Sequence, residues 1–138
     1  MPLVRFRTGD VGFILPGPCS CGRGTIRLGP ILGRKAQMLK VRGTTLFPNA
    51  FFHVLDGIPE IAEYFMEVSG TALSDEVTMY VAYKPGADPE RVQVAERLYS
   101  RTRLHVPVIA VSEEEARKRV FGVSRKPVRF FDLRKVQN

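Results

Sequence analysis

Two alternating runs constrain this chain more than any other feature. In "IAEYFMEVS", residues 61–69, Ala62, Tyr64, Met66 and Val68 point one way and Glu63 and Glu67 the other. In "VTMYVAY", residues 77–83, Val77, Met79, Val81 and Tyr83 share one face. Period-two alternation of this length belongs to half-buried strands. Only the short "GTALSDE" joins the runs, so they predict an antiparallel pair.

Helical signals flank that pair. "PNAFFHVLDG" predicts a helix with Pro48 at its first position, Gly57 as its stop and Phe51, Val54 and Leu55 as its apolar stripe. "DPERVQVAERLYSRT" predicts one helix over 88–102, capped by Asp88, with Val92, Ala95 and Leu98 on its buried face. "VPVIAV" reads as a buried strand, and Ser112 with Glu115 as a capping box for a short charged helix. "PVRFFDL" closes the sheet. Earlier, "QMLKV" and "TTLF" flank Arg42-Gly43, a hairpin signal. The expected fold is α+β: a small antiparallel or mixed sheet with helices on one face, preceded by short extended segments and a β-hairpin.

Composition narrows the function classes. The 138 residues are 44% hydrophobic and 25% charged, as in a globular domain. No run is long and apolar enough to span a bilayer, and no signal peptide is read at the start, so a cytoplasmic location is expected. The net charge of +7 favours an anionic partner such as a nucleotide, coenzyme A, nucleic acid or an acidic protein face. The basic residues are scattered, and no aromatic–basic, zinc-finger or recognition-helix pattern accompanies them. A nucleic-acid partner is therefore not expected. Cys19 and Cys21 in "PGPCSCGRG" read as thiols in a tight polar turn. Half a zinc site is the alternative, and it would need two further ligands from elsewhere.

Four separated signals carry chemistry. Arg7-Thr8-Gly9-Asp10 is a turn in which glycine allows close approach and a carboxylate suits a ribose diol. "ILGRKAQMLKVRG" places Arg34 after a glycine and before the Lys40–Arg42–Gly43 hairpin. "LFPNAF" starts a helix directly after it. "SRKPVR" brings Lys126 into the last strand. Each alone is compatible with surface charge or an ordinary turn.

In this order and spacing the signals resemble the C-terminal lid domain of the adenylate-forming superfamily of acyl-CoA synthetases and luciferases. The nearest branch is the phenylacetate–CoA ligase type. That branch typically reads R-[YF]-R-T-G-D, then P-G-P-C-x-C-G-R, then I-L-G-R-x-D-D-M-[LI]-x-x-R-G, then a [VL]-F-P helix start. Here these are "RFRTGD", "PGPCSCGRG", "ILGRKAQMLKVRG" and "LFP", a match that is close over residues 3–48 and by pattern only over 49–138.

The resemblance implies residues 1–32 as the end of a large N-terminal domain plus linker, and 33–138 as the lid. It implies a two-step, AMP-forming reaction using ATP, Mg2+ and coenzyme A: an acid is adenylated, the lid rotates, and coenzyme A displaces AMP. Asp10 would bind the ribose diol and Arg34 the ribose or phosphate side. Ala36 would stand at the hinge, and Lys40, Arg42 and Gly43 would line the coenzyme A channel. Lys126 would be the adenylation lysine. The phosphate loop and acid pocket belong to the large domain, which becomes the expected partner. The chain alone is expected to be inactive and to require no cofactor. Three features depart from the pattern. Ala36 and Gln37 stand where the hinge residue and an acid are usual, no Glu follows "FP", and Arg125 rather than Gly precedes Lys126. A non-catalytic interaction or regulatory domain derived from such a lid is the alternative reading.

Overall fold

The computed structural model describes residues 6–71, 74–122 and 124–134. Its centre is the expected antiparallel pair, β7 (Ile61–Thr71) and β8 (Ser74–Tyr83), with Met66 opposite Met79 and Val68 opposite Val77. Ala72 and Leu73 of the connection, Val123 and the first residues of "VRFRTGD" lie outside the described residues. Two short strands complete a mixed four-stranded sheet, β9 (Val108–Ala110) parallel to β8 and β10 (Phe130–Asp132) parallel to β7. The order is β10-β7-β8-β9.

The face bearing Tyr64, Met66, Val68, Val77, Met79 and Val81 holds the main core. Helix α1 (Pro48–Asp56) packs there through Phe51 and Leu55, with Pro48 at its first position and Val54 only half-buried. Gly57 ends α1 at φ −82°, so the stop does not use glycine's left-handed freedom. The hairpin of β5 (Leu39–Val41) and β6 (Thr44–Leu46) joins the same core through Leu39, which is fully buried.

Four expectations need correction. The helix over 88–102 is two pieces, α2 (Pro89–Val92) and α3 (Val94–Thr102), because Gln93 adopts a left-handed conformation at φ 49°. The break resets the helical phase. Val92, Val94, Leu98 and Thr102 face inward, and Ala95 is exposed. The helices do not share one face either. Helix α4 (Glu113–Phe121) covers the opposite side, where Ala116 and Val120 pack on Phe65 and Ala82. Strand β9 is an edge rather than a buried strand, with Ile109 44% exposed. Finally, Ala62 does not share the face of Tyr64. A bulge between Ile61 and Glu63 turns Ile61 into the core and leaves Ala62 half-buried.

The caps follow the sequence. The Asp88 side chain accepts from the Glu90 amide at 3.0 Å, and Ser112 Oγ accepts from the Glu115 amide at 3.1 Å.

The segment before β5 is built differently. It consists of two-residue ladders: β1 (Asp10–Val11) with β4 (Gly33–Arg34), and β2 (Ile14–Leu15) with β3 (Arg27–Leu28), both antiparallel. Large apolar side chains here stand in solvent, including Ile14, Leu28 and Ile26, the last 77% exposed.

Candidate functional site

The Thr-Gly-Asp turn folds as its residues dictate. Gly9 takes φ 79°, and Thr8 Oγ1 accepts from the Asp10 amide at 3.2 Å. The Gly9 carbonyl accepts from the Lys35 amide at 2.8 Å, continuing the β1–β4 ladder. That ladder sets Asp10 directly opposite Arg34, with Arg34 Nε 3.8 Å from Asp10 Oδ1. Two candidate nucleotide residues 24 positions apart are thus neighbours across one strand pair. Both are exposed, so the ion pair adds little stability and leaves the groups available to a ligand.

Ala36 lies in a single 3-10 turn, Lys35–Gln37, with no buried residue. Arg34 before it and Met38 after it are both extended. The backbone could therefore change direction here without uncovering the core.

The next hairpin turns at Arg42 and Gly43, with φ 47° and 80°. Two successive positive φ values give the primed turn that matches strand twist. Lys40, Arg42 and Gly43 are exposed, while Leu39 anchors the base. A polar clamp fixes that base. Asp75, 8% exposed, accepts from the Lys40 amide at 2.6 Å and from Arg134 Nη1 at 3.1 Å. Arg134 also donates to the Met38 carbonyl and grips Asp132 through two nitrogens, at 2.8 and 2.6 Å. Hydrogen bonding from Arg134 holds the Asp132 carboxyl below its ordinary pKa, against a smaller opposing effect of burial. The one available signal was that Asp75 shares the phase of Val77 and Met79, an inward position for a charge.

Lys126 sits exposed in the loop between α4 and β10. Ser124 Oγ accepts from the Lys126 amide at 3.1 Å and donates to the Lys126 carbonyl at 2.7 Å. The Val128 amide donates to the Val120 carbonyl at 2.9 Å, tying the loop back to α4. Among the described residues, no hydrogen bond or ion pair joins the Lys126 side chain to Asp10, Arg34 or the hairpin. The candidates thus form three clusters: the Asp10–Arg34 pair, the hairpin tip and the Lys126 loop.

Cys19 and Cys21 are free thiols with their sulfurs 2.9 Å apart in a turn closed by the Gly22 amide on the Cys19 carbonyl. The Cys19 thiol and then the Arg23 amide lower the Cys21 pKa by hydrogen bonding. Among the described residues no group of three or more His, Cys, Asp or Glu could hold a metal ion.

No protein-family model matches the chain. Among curated proteins, it is 44% identical over 68 residues to a phenylacetate-coenzyme A ligase of Thermus thermophilus, covering 49% of this chain and 15% of that protein. It is 34% identical over 92 residues to the phenylacetate-coenzyme A ligase of Aromatoleum evansii, covering 66% of this chain and 20% of that protein. Over these stretches the chain is similar to phenylacetate-coenzyme A ligases. It spans a fifth or less of the length of these two ligases.

Solved structures of the ligase superfamily share the fold. A 2-hydroxyisobutyryl-CoA ligase in the postadenylation state superposes with a TM-score of 0.68 at 22% identity, over 95% of this chain and 29% of that one. A domain of phenylacetate-coenzyme A ligase from Bacteroides vulgatus superposes with a TM-score of 0.52 at 21% identity, over 72% of this chain and 94% of that one. The second superposition takes in nearly the whole of that domain and shows a shared fold.

Proposed function

We propose that the chain acts as the lid of an ATP-dependent, AMP-forming coenzyme A ligase for aryl or acyl acids. The observation that carries this reading is the pairing of Asp10 with Arg34 on β1 and β4, one residue ahead of the exposed 3-10 turn. A carboxylate accepts two hydrogen bonds from a ribose diol, and a guanidinium beside it suits the adjoining phosphate. The turn holding Ala36 then serves as the hinge. Residues 1–32 end the large-domain side and 33–138 form the lid, whose moving part begins at the Ala36 turn, so that β4 stays paired with β1.

Lys126 is the adenylation lysine in this reading. Its ammonium neutralises negative charge developing on the carboxylate and phosphate oxygens when the lid closes. After rotation the Lys40–Arg42–Gly43 hairpin lines the coenzyme A channel in its place. ATP and coenzyme A are substrates of the closed assembly, and Mg2+ accompanies the nucleotide; we assign no Mg2+ ligand to this chain. The large adenylation domain is the partner, and the exposed Ile14, Ile26 and Leu28 suit a surface that it covers. The lid works in the cytoplasm. No helix among the described residues is long and apolar enough to cross a membrane.

The two half-reactions, assayed separately on the chain working with an adenylation domain, test the role of Lys126. Lys126→Ala should slow acid-dependent pyrophosphate release by about 10²–10³-fold. Thioester formation from supplied acyl-adenylate should be nearly unchanged. Loss in neither step would make the domain a non-catalytic, regulatory derivative of a lid, and equal loss in both would remove Lys126 from the adenylation role.

A further inference from the structure

Three residues beyond Lys126, Arg129 enters the sheet beside a buried carboxylate. Glu63 has a side chain only 7% exposed, although it lies next to the bulge at the start of β7. Its Oε1 accepts from the Tyr64 amide at 3.0 Å and from Arg129 Nε at 2.8 Å. The Arg129 guanidinium stands 4.7 Å over the Tyr64 ring, and the Tyr64 hydroxyl donates to Asp56 Oδ1 at 2.6 Å, at the end of α1. The Arg129 carbonyl accepts from the Met66 amide at 2.7 Å, which starts the β10–β7 ladder.

We propose that Glu63 and Arg129 are positioning residues for Lys126; this rests on the adenylation role given to that lysine. The loop from Ser124 to Val128 has few restraints of its own. Both of its ties to the body of the fold lie at its C-terminal end, the Val128 amide on the Val120 carbonyl of α4 and, next to it, Arg129 on Glu63 and Met66. A buried ion pair contributes little stability relative to well-packed apolar side chains, and its best use is to impose one geometry. Here the geometry imposed is the entry of the chain into β10, and through Pro127 the direction from which Lys126 approaches it. Tyr64 and Asp56 extend the support to α1, so the lysine is referenced to the core rather than to the loop. Misplacing a reacting group by about 1 Å costs up to ~10²-fold in rate.

The test uses the full chain with the large adenylation domain of the Thermus thermophilus relative and phenylacetate as the acid. Glu63→Gln should slow adenylation by about 10–10²-fold and spare thioester formation from supplied phenylacetyl-adenylate. In the Lys126→Ala background the same substitution should have no further effect on adenylation, because it acts only through the lysine. Glu63→Gln with Arg129→Met removes both charges and leaves neither orphaned. That variant should regain melting temperature yet still adenylate slowly. Independent, multiplicative losses in the Glu63→Gln/Lys126→Ala pair, equal loss in both half-reactions, or recovery of adenylation along with stability would each overturn the proposal. A normal rate for Lys126→Ala would instead overturn the adenylation reading itself.

Discussion

Gly43 and Gly70 both adopt positive φ, 80° and 122°, and a methyl group should affect them differently. An added Cβ at Gly43 meets nothing within 4 Å, so Gly43→Ala should cost only the left-handed penalty of about 1–2 kcal/mol. At Gly70 it would lie 2.5 Å from the Ser74 carbonyl oxygen and 3.1 Å from Asp75 Cα, both backbone. Gly70→Ala should therefore cost ~3 kcal/mol or more, and it should also disturb Asp75 and the clamp. Denaturant unfolding of the two variants checks the contrast; equal losses would mean that the β7–β8 hairpin end is not packed as described. Sequence alone marked Gly43, because an Arg-Gly pair between two strand-like runs is a turn signal. It did not distinguish Gly70, whose constraint comes from a backbone crossing four residues later.

The elements that could be read were those announced by local chemistry. Pro48 and Ser112 mark helix starts, and alternation marks β7 and β8. Ser112→Ala should remove about 1 kcal/mol from α4. Because Val120 near the end of α4 holds the Val128 amide, hydrogen exchange at Val128 should speed up in that variant. Unchanged exchange would show that the Lys126 loop does not depend on α4. Two breaks were not legible. Gln93 splits a continuous helical pattern without glycine or proline, and the Ala62 bulge interrupts an alternation that looked regular. Both result from tertiary packing: α3 must direct Val94 and Leu98 inward, and Ile61 must reach the core beside Tyr83. The placement of α4 on the far face was also hidden, since Ala116 and Val120 give only a short apolar stripe.

Across the whole molecule, the polar links that organise the candidate site join distant positions. Glu63 and Arg129 are 66 residues apart, and Asp75 and Arg134 are 59 apart, so no sequence window contains either pair. The clamp should give the hairpin a pH dependence. Asp132 has its folded pKa depressed by Arg134, so its contribution to stability is present above the ordinary carboxylate range. That contribution is lost as pH falls below about 4. Arg134→Met should destabilise the chain at pH 7 by about 2 kcal/mol and flatten this acid-side loss. Unfolding titrations at pH 7 and pH 3 measure both effects, and a variant as acid-sensitive as the original would contradict the clamp. The Thr-Gly-Asp turn, the segment around Ala36, the hairpin and the Lys126 loop were legible as motifs because each is short and local; the pairing of Asp10 with Arg34 and the contacts that support these motifs were not. The most direct test of the lid assignment is complementation. The 138-residue chain is added to a phenylacetate-coenzyme A ligase adenylation domain lacking its own C-terminal domain, and phenylacetyl-coenzyme A formation is followed. Neither component alone should release pyrophosphate in response to phenylacetate, and together they should form the thioester. Acid-dependent pyrophosphate release by the chain alone, or no thioester from the two combined, would contradict the account.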